Sequence, residues 1–326
     1  ILKGKMLRHG VVPSTCRSFM GSMGMGTRIF DNGICSGGLL SWIRSFSRTT
    51  SSSSSLPLES QSVASSASVD VSNASIFAEP GDAWWDPAGA MGPLHAMGPL
   101  RNTFIVSSLS GFIRDAQTPV ENENGRMRPL LGLSHVDVGC GGGLLVEAMA
   151  RLGAKSVGVD LAQRTVDAAK AHASRDAELA SRGNLPEYVV SSVEALSADA
   201  AHAGQYDVVT SLEVVEHVTD RHGFLKSLGA LAKPKQGHIV LSTINRTPRS
   251  YAIAIVGAEH VARIVPVGTH SWDQFVTPDE LTKAVCDAIP GARLASLKGM
   301  WLNPLRGMWE ITSDTAVNYI AHFTLQ

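Results

Sequence analysis

The segment His135-Val136-Asp137-Val138-Gly139-Cys140-Gly141-Gly142-Gly143-Leu144-Leu145-Val146-Glu147-Ala148-Met149-Ala150 changes character twice in sixteen residues. A short apolar run reads as a strand, a cluster of glycines as a tight loop, and the following apolar residues as a helix. Strand, glycine loop and helix in that order bring backbone N–H groups at a helix N-terminus close to a ligand. Downstream, 156–159 reads as a second strand that ends in Asp160, 23 residues beyond Asp137. An acid at the end of the second strand is placed to accept hydrogen bonds from ribose hydroxyls. A helix at 162–180, strands at 188–190 and 206–210, a helix at 222–232 and a strand at 238–242 continue the alternation. Repeated βαβ units imply an α/β fold with a mostly parallel sheet and helices on both faces. A ligand is then expected outside the carboxyl ends of the strands.

The loop itself narrows the ligand. A dinucleotide fingerprint is G-x-G-x-x-G, whereas here Asp137 stands two residues before Gly139 and the run is Asp137-x-Gly139-x-Gly141-Gly142-Gly143. A carboxylate at that place repels a pyrophosphate and attracts the ammonium group of S-adenosylmethionine. The pattern therefore favours a Rossmann-like class I S-adenosylmethionine-dependent methyltransferase. A dinucleotide enzyme, or a module that binds without turnover, fits less well.

Composition sets outer limits. The 326 residues carry 28 Lys and Arg against 29 Asp and Glu, a net charge of −1, which argues against a nucleic-acid binder relying on bulk positive charge. With 44% hydrophobic and 17% charged residues the chain can bury a core. Cys16, Cys35, Cys140 and Cys286 form no C-x-x-C pair, so a reducing compartment is expected rather than a disulfide framework. No run of eighteen apolar residues is present, so no spanning helix is expected. The charge is uneven. Residues 1–58 hold seven basic residues and one acid, Asp31, leaving 21 bases and 28 acids for the remainder. Serine supplies 13 of the 28 residues from 41 to 68. Arg-rich, Ser-rich and acid-poor is the composition of an organellar transit peptide. Residues 1–77 are thus expected to be a mitochondrial or plastid transit peptide and Ser-rich linker without ordered structure, with the catalytic domain at 78–326; the mitochondrial choice is what the family resemblance given below implies. A disordered linker or a translation artefact is the alternative. Because Ile1 rather than Met opens the chain, residues preceding it are expected.

Two further segments carry chemistry. After the strand at 206–210 come Leu212-Glu213-Val214-Val215-Glu216-His217. If helical, Glu213, Glu216 and His217 share one face at i, i+3 and i+4. Two carboxylates and an imidazole suit Mg²⁺ or another divalent cation. The same residues also suit a solvated acidic turn that closes the pocket, and His217 alone suits a general base. The segment 247–266 is longer than an ordinary connection and strongly apolar, as in Tyr251-Ala252-Ile253-Ala254-Ile255-Val256. It reads as a lid over the site, an interfacial helix, or an extra core helix. Near the start of the ordered region, Trp84-Trp85 in a Gly/Pro-rich stretch reads as a cap over something apolar or a flap stapled to the core. A doubled pentapeptide follows, Ala90-Met91-Gly92-Pro93-Leu94 and Ala96-Met97-Gly98-Pro99-Leu100, and then Arg101.

A family resemblance rests on several of these segments taken in order. They are Trp84-Trp85-Asp86, Pro93-Leu94-His95, Pro99-Leu100-Arg101, the 137–143 loop, Gly204-Gln205-Tyr206-Asp207-Val208-Val209-Thr210, and Ser242-Thr243-Ile244-Asn245-Arg246. Val256-Gly257-Ala258-Glu259, Val265-Pro266, Gly268-Thr269-His270 and Val317-Asn318-Tyr319 complete the set. Over about residues 80–322 the chain resembles the mitochondrial ubiquinone-biosynthesis O-methyltransferases, which methylate polyprenylated dihydroxybenzoate and demethylubiquinol. The resemblance implies donor contacts from Arg101, Gly139, Asp160 and Leu212, beside Asp137 and Gly141 read from the loop. It also implies metal ligands Glu213, Glu216 and His217. It further implies a polyprenylated benzoquinol substrate, peripheral contact with the matrix face of the mitochondrial inner membrane, and other ubiquinone-biosynthesis proteins as partners. Gly98 stands where the family often has Asn, and Leu212 where some members have Met. The alternative within the same class is a methyltransferase acting on a soluble small molecule.

Overall fold

In the computed structural model, residues 81–112, 120–121, 127–261, 271–303 and 305–326 are described. The expected transit peptide and linker at 1–77, and the Val265–His270 part of the family pattern, lie outside them. A two-stranded ribbon of β1 (Val120–Glu121) and β2 (Met127–Arg128) precedes the main sheet. That sheet contains β3 (Ser134–Val138), β4 (Lys155–Asp160), β5 (Glu187–Val190), β6 (Val208–Leu212), β7 (His238–Ile244), β8 (Ala292–Asn303), β9 (Met308–Thr312) and β10 (Asn318–Leu325). Its spatial order is β5-β4-β3-β6-β7-β10-β8-β9. The first five in that order are parallel, and β10, β8 and β9 extend the edge in antiparallel pairing.

The helices are α1 (Gly92–Ser108), α2 (Leu144–Arg151), α3 (Gln163–Ala173), α4 (Ala177–Ser181), α5 (Val193–Ala198), α6 (Arg221–Leu231) and α7 (Pro278–Ala288). They cover both faces of the sheet, and the strands read accordingly. All seven residues of β7 are buried, and Ile239 and Leu241 join one apolar cluster while Val240 joins the other. The first cluster gathers Phe224, Leu225, Leu228 and Leu231 of α6 with Leu281 and Val285 of α7. The second gathers Phe104 and Ile105 of α1 with Met149 of α2.

Three expectations are corrected. The helix at 162–180 is two helices: the first ends at Ala173, and Asp176 caps the second, accepting from the Leu179 N–H at 2.9 Å. The strand expected at 206–210 is β6, shifted to Val208–Leu212, with Tyr206 in an isolated bridge to Ala232. The Glu213–His217 segment is not a helix with a shared face. Glu213 leaves β6 with φ +58°, and only Val215–His217 forms a 3-10 turn.

The two halves of the doubled pentapeptide also part company. Pro93 occupies the first turn of α1, where its missing N–H costs nothing, and Pro99 sits inside the same helix. Gly98 on that helix has open space where a side chain would start, so no contact demands glycine there.

Candidate methyl-transfer site

Three adjacent strands end in acids. Asp137 lies near the end of β3, Asp160 closes β4, and Glu213 follows β6. Between them the 139–143 loop turns on three glycines with positive φ: Gly139 at 78°, Gly141 at 53° and Gly143 at 87°. The Asp160 carboxylate pins this loop. One oxygen accepts from the Gly141 N–H at 3.0 Å and the other from the Ala162 N–H at 3.0 Å. Burial pushes the Asp160 pKa up, opposed by those backbone donors. Asp137 is buried and accepts from the Thr210 hydroxyl at 2.6 Å. Burial pushes its pKa up to about 7, against Thr210 and the charge of Arg101. A buried carboxylate with that bias favours a cationic ligand beside it.

The tryptophan pair caps the loop. A Cβ added to Gly141 would fall 2.4 Å from Trp84 Cη2, and one added to Gly142 would fall 2.6 Å from Trp84 Cβ. Trp85 donates its ring N–H to the Gly142 carbonyl at 3.0 Å and stacks on His172 at 3.4 Å between centroids. His95 of α1 holds the Trp84 carbonyl at 2.8 Å. Among the described residues, Trp84 Nε1, Arg101 Nε and Tyr188 Oη are buried without a hydrogen-bond partner. All three are donors, and such orphans are the pattern where a polar ligand supplies the partner. Cap and flap, the two readings of the tryptophans, thus describe one contact.

Arg101 is nearly buried and donates to Glu213 Oε1 at 2.8 Å. The Ser242 hydroxyl donates to the same oxygen at 2.6 Å. Glu216 is buried and accepts from the Thr243 hydroxyl at 2.8 Å. Burial, and then the charge of Glu213, hold the Glu216 pKa well above the ordinary carboxylate range. His217 ends the 3-10 turn, half-buried. Among the described residues no three His, Cys, Asp or Glu side chains are grouped to hold one ion. The expected triad is therefore not assembled as the helical spacing drew it. What the donor set does offer is a buried Glu216 carboxylate whose ionisation is opposed by burial and by the neighbouring Glu213 charge, a cost that a nearby cation relieves.

A family model described as a methyltransferase domain matches residues 112–288. Over 254 residues the chain is 44% identical to the ubiquinone biosynthesis O-methyltransferase of Azorhizobium caulinodans, covering 78% of this chain and 92% of that one. It is 40% identical over 267 residues to the mitochondrial ubiquinone biosynthesis O-methyltransferase of Arabidopsis thaliana, covering 82% and 77%. The chain belongs to the ubiquinone biosynthesis O-methyltransferases. Among solved structures, the magnesium protoporphyrin IX methyltransferase of Synechocystis PCC 6803 with bound SAM is similar at a TM-score of 0.43 and 20% identity, covering 69% of this chain and 80% of that one.

As an S-adenosylmethionine-dependent O-methyltransferase, the chain places Asp137, Gly139, Gly141 and Asp160 around one loop, as the sequence indicated. Arg101 and Leu212 stand at the neighbouring strand end, Arg101 against Glu213 and Leu212 as the last residue of β6. Sequence reasoning missed Tyr188, which packs under Gly143 and Gly158, and the Ser242 and Thr243 hydroxyls that hold the two glutamates. Ser242-Thr243 was visible only as part of a family pattern, since its partners lie 29 and 27 residues away.

The apolar insertion is partly described. A helical turn, Pro248–Ser250, with a Thr247/Ser250 capping box leads into a π-helix, Tyr251–Val261. Ala254 and Ile255 pack against Ile244 and Phe275, while Tyr251, Ile253 and Val256 face outward. Arg249 ties its base to the sheet edge, pairing with Asp314 and lying 4.7 Å over the Trp301 ring.

Proposed function

We propose that this enzyme transfers the methyl group of S-adenosylmethionine to a phenolic oxygen of 3,4-dihydroxy-5-polyprenylbenzoate and of demethylubiquinol, at the matrix face of the mitochondrial inner membrane. The observation that carries the reading is the convergence of Asp137, Asp160 and the glycine loop at the carboxyl ends of β3 and β4. The Asp160 carboxylate receives the ribose hydroxyls, and the buried Asp137 carboxylate faces the ammonium group of the donor. The Trp84–Trp85 cap keeps water from the loop. Transfer requires the acceptor oxygen in line with the sulfonium methyl, about 3–3.5 Å away.

A neutral phenol, with a pKa near ~10, is a weak nucleophile at neutral pH. To hold a divalent cation, Glu213, Glu216 and His217 would have to draw together from the arrangement described, in which they are not grouped, and such a cation would supply positive charge that lowers the phenol pKa. His217 accepts the phenolic proton if it is not a ligand. The mitochondrial relative and the exposed Tyr251, Ile253 and Val256 support a substrate whose prenyl tail stays in the bilayer.

The test is methyl transfer from labelled donor to a short-chain catechol, before and after exhaustive EDTA dialysis. Chelation should abolish turnover and leave S-adenosylhomocysteine affinity unchanged, because the donor is not a metal ligand. Full turnover from metal-free protein would remove the cation and leave His217 as the base.

A further inference from the structure

Four polar side chains form one buried line across three strands. His135 and Asp137 are two residues apart on β3 and so share a face of the sheet. In register, Ser156 of β4 stands beside His135, and Thr210 of β6 stands beside Asp137. None of the four is more than 5% exposed. Ser156 Oγ lies 3.2 Å from His135 Nδ1, His135 Nε2 lies 2.9 Å from Thr210 Oγ1, and Thr210 Oγ1 lies 2.6 Å from Asp137 Oδ1.

The direction of this chain follows from counting protons. Thr210 has one hydroxyl proton, and it is donated to Asp137 Oδ1 at 2.6 Å in preference to the Val136 carbonyl, which lies at a much longer 3.4 Å. The proton therefore goes to Asp137, and Thr210 Oγ1 must accept from Nε2–H of His135. Burial holds the His135 pKa down to about 3, so the ring is neutral and carries one proton. With that proton on Nε2, Nδ1 accepts from the Ser156 hydroxyl.

We propose that His135 and Thr210 are positioning residues of the methyl-donor site, a one-way hydrogen-bond chain from Ser156 that holds Asp137 ionised and in a fixed rotamer for the donor's ammonium group. The inference rests on the assignment of Asp137 to that group. Other charges and titratable groups face Asp137 as well. Arg101 favours its ionised form and Asp160 disfavours it. Burial pushes the Cys140 thiol and the Tyr188 phenol up, so both stay neutral near pH 7.

Calorimetry of S-adenosylhomocysteine binding to the full chain, from about pH 6 to about pH 8.5, tests the chain of bonds. Thr210→Val should bind about tenfold more weakly near pH 7, with the gap closing as pH rises and Asp137 ionises unaided. Thr210→Ser, which keeps the hydroxyl, should restore affinity to within about twofold, and His135→Phe should weaken it in the same pH-dependent way. Asp137→Asn should be weak at every pH. Wild-type affinity for Thr210→Val and His135→Phe beside a weakened Asp137→Asn would overturn the positioning role alone. Wild-type affinity for Asp137→Asn would overturn the donor-site assignment and the inference with it. Should the valine or phenylalanine variants fail to fold, nitrogen NMR of His135 in the wild-type complex decides: Nε2–H is expected, and an Nδ1–H tautomer would refute the chain.

Discussion

Gly141 has no room for a methyl group. Its φ of +53° disfavours any L side chain, and an added Cβ would meet the Trp84 ring at 2.4 Å. Gly141→Ala should therefore cost about 1–3 kcal/mol of stability, through backbone strain and overpacking, and weaken donor binding. If the contact with Trp84 carries part of that cost, the substitution should cost less in a Trp84→Ala background than in the native one. Urea unfolding of the four proteins in this cycle measures it, and equal costs in both backgrounds would refute the packing account. At this scale the sequence was legible where chemistry is local. A loop of the form Asp137-x-Gly139-x-Gly141 constrains its own backbone, and Asp160 is fixed by the end of its strand. Glu213 was misread because its conformation is decided from a distance. Arg101, 112 residues away, and Ser242, 29 residues away, draw its carboxylate aside at positive φ. No spacing rule for a helix contains that information.

At the scale of elements, β3, β6, β7 and β10 carry polar groups into the interior, and they set the acid limit of the fold. His135 on β3 is held down to about pH 3 by burial, and His322 on β10 down to about 4 by burial and the neighbouring His238. Both rings are neutral in the folded protein but take up protons in the unfolded chain below about pH 6.5. The unfolded state then binds more protons, so stability is present above pH 6.5 and is lost as pH falls toward the folded values. Each fully lowered histidine contributes up to about 1.4 kcal/mol per pH unit in that window. The raised folded pKa values of Asp137, Asp160 and Glu216 act with the opposite sign in the same window, so the histidine contribution is read from the difference between two proteins and not from the wild-type midpoint alone. His322→Gln, which keeps a polar end toward His238 without titrating, should flatten part of the slope. A difference between the His322→Gln and wild-type midpoints that stays constant from about pH 7 to about pH 4.5 would contradict this. The parallel half of the sheet was legible because β3, β4 and β7 are short apolar runs ended by turn residues. The antiparallel edge was not: β8 is half-exposed along much of its length, and a bulge between His322 and Phe323 breaks the register of β10.

For the molecule as a whole, the question is how a lipid-soluble acceptor reaches a site built for a water-soluble donor. The Tyr251–Val261 helix anchors Ala254 and Ile255 inward and turns Tyr251, Ile253 and Val256 outward, 39% to 46% exposed. Among the described residues no helix is long and apolar enough to cross a membrane. An apolar face of this kind suits shallow insertion at a bilayer surface. Replacing Tyr251, Ile253 and Val256 together by serine should abolish co-flotation with phospholipid vesicles while sparing methylation of a water-soluble short-chain catechol. Unchanged flotation would send the insertion back to the role of an extra core helix.

The central claim concerns the acceptor, and product analysis reaches it most directly. Wild-type enzyme, labelled S-adenosylmethionine and each polyprenylated acceptor, dihydroxybenzoate and demethylubiquinol, would be incubated with vesicles and the products resolved by mass spectrometry. The account predicts one labelled methyl on a ring oxygen of each acceptor. Label found only on soluble catechols, with both prenylated acceptors recovered unchanged, would contradict it.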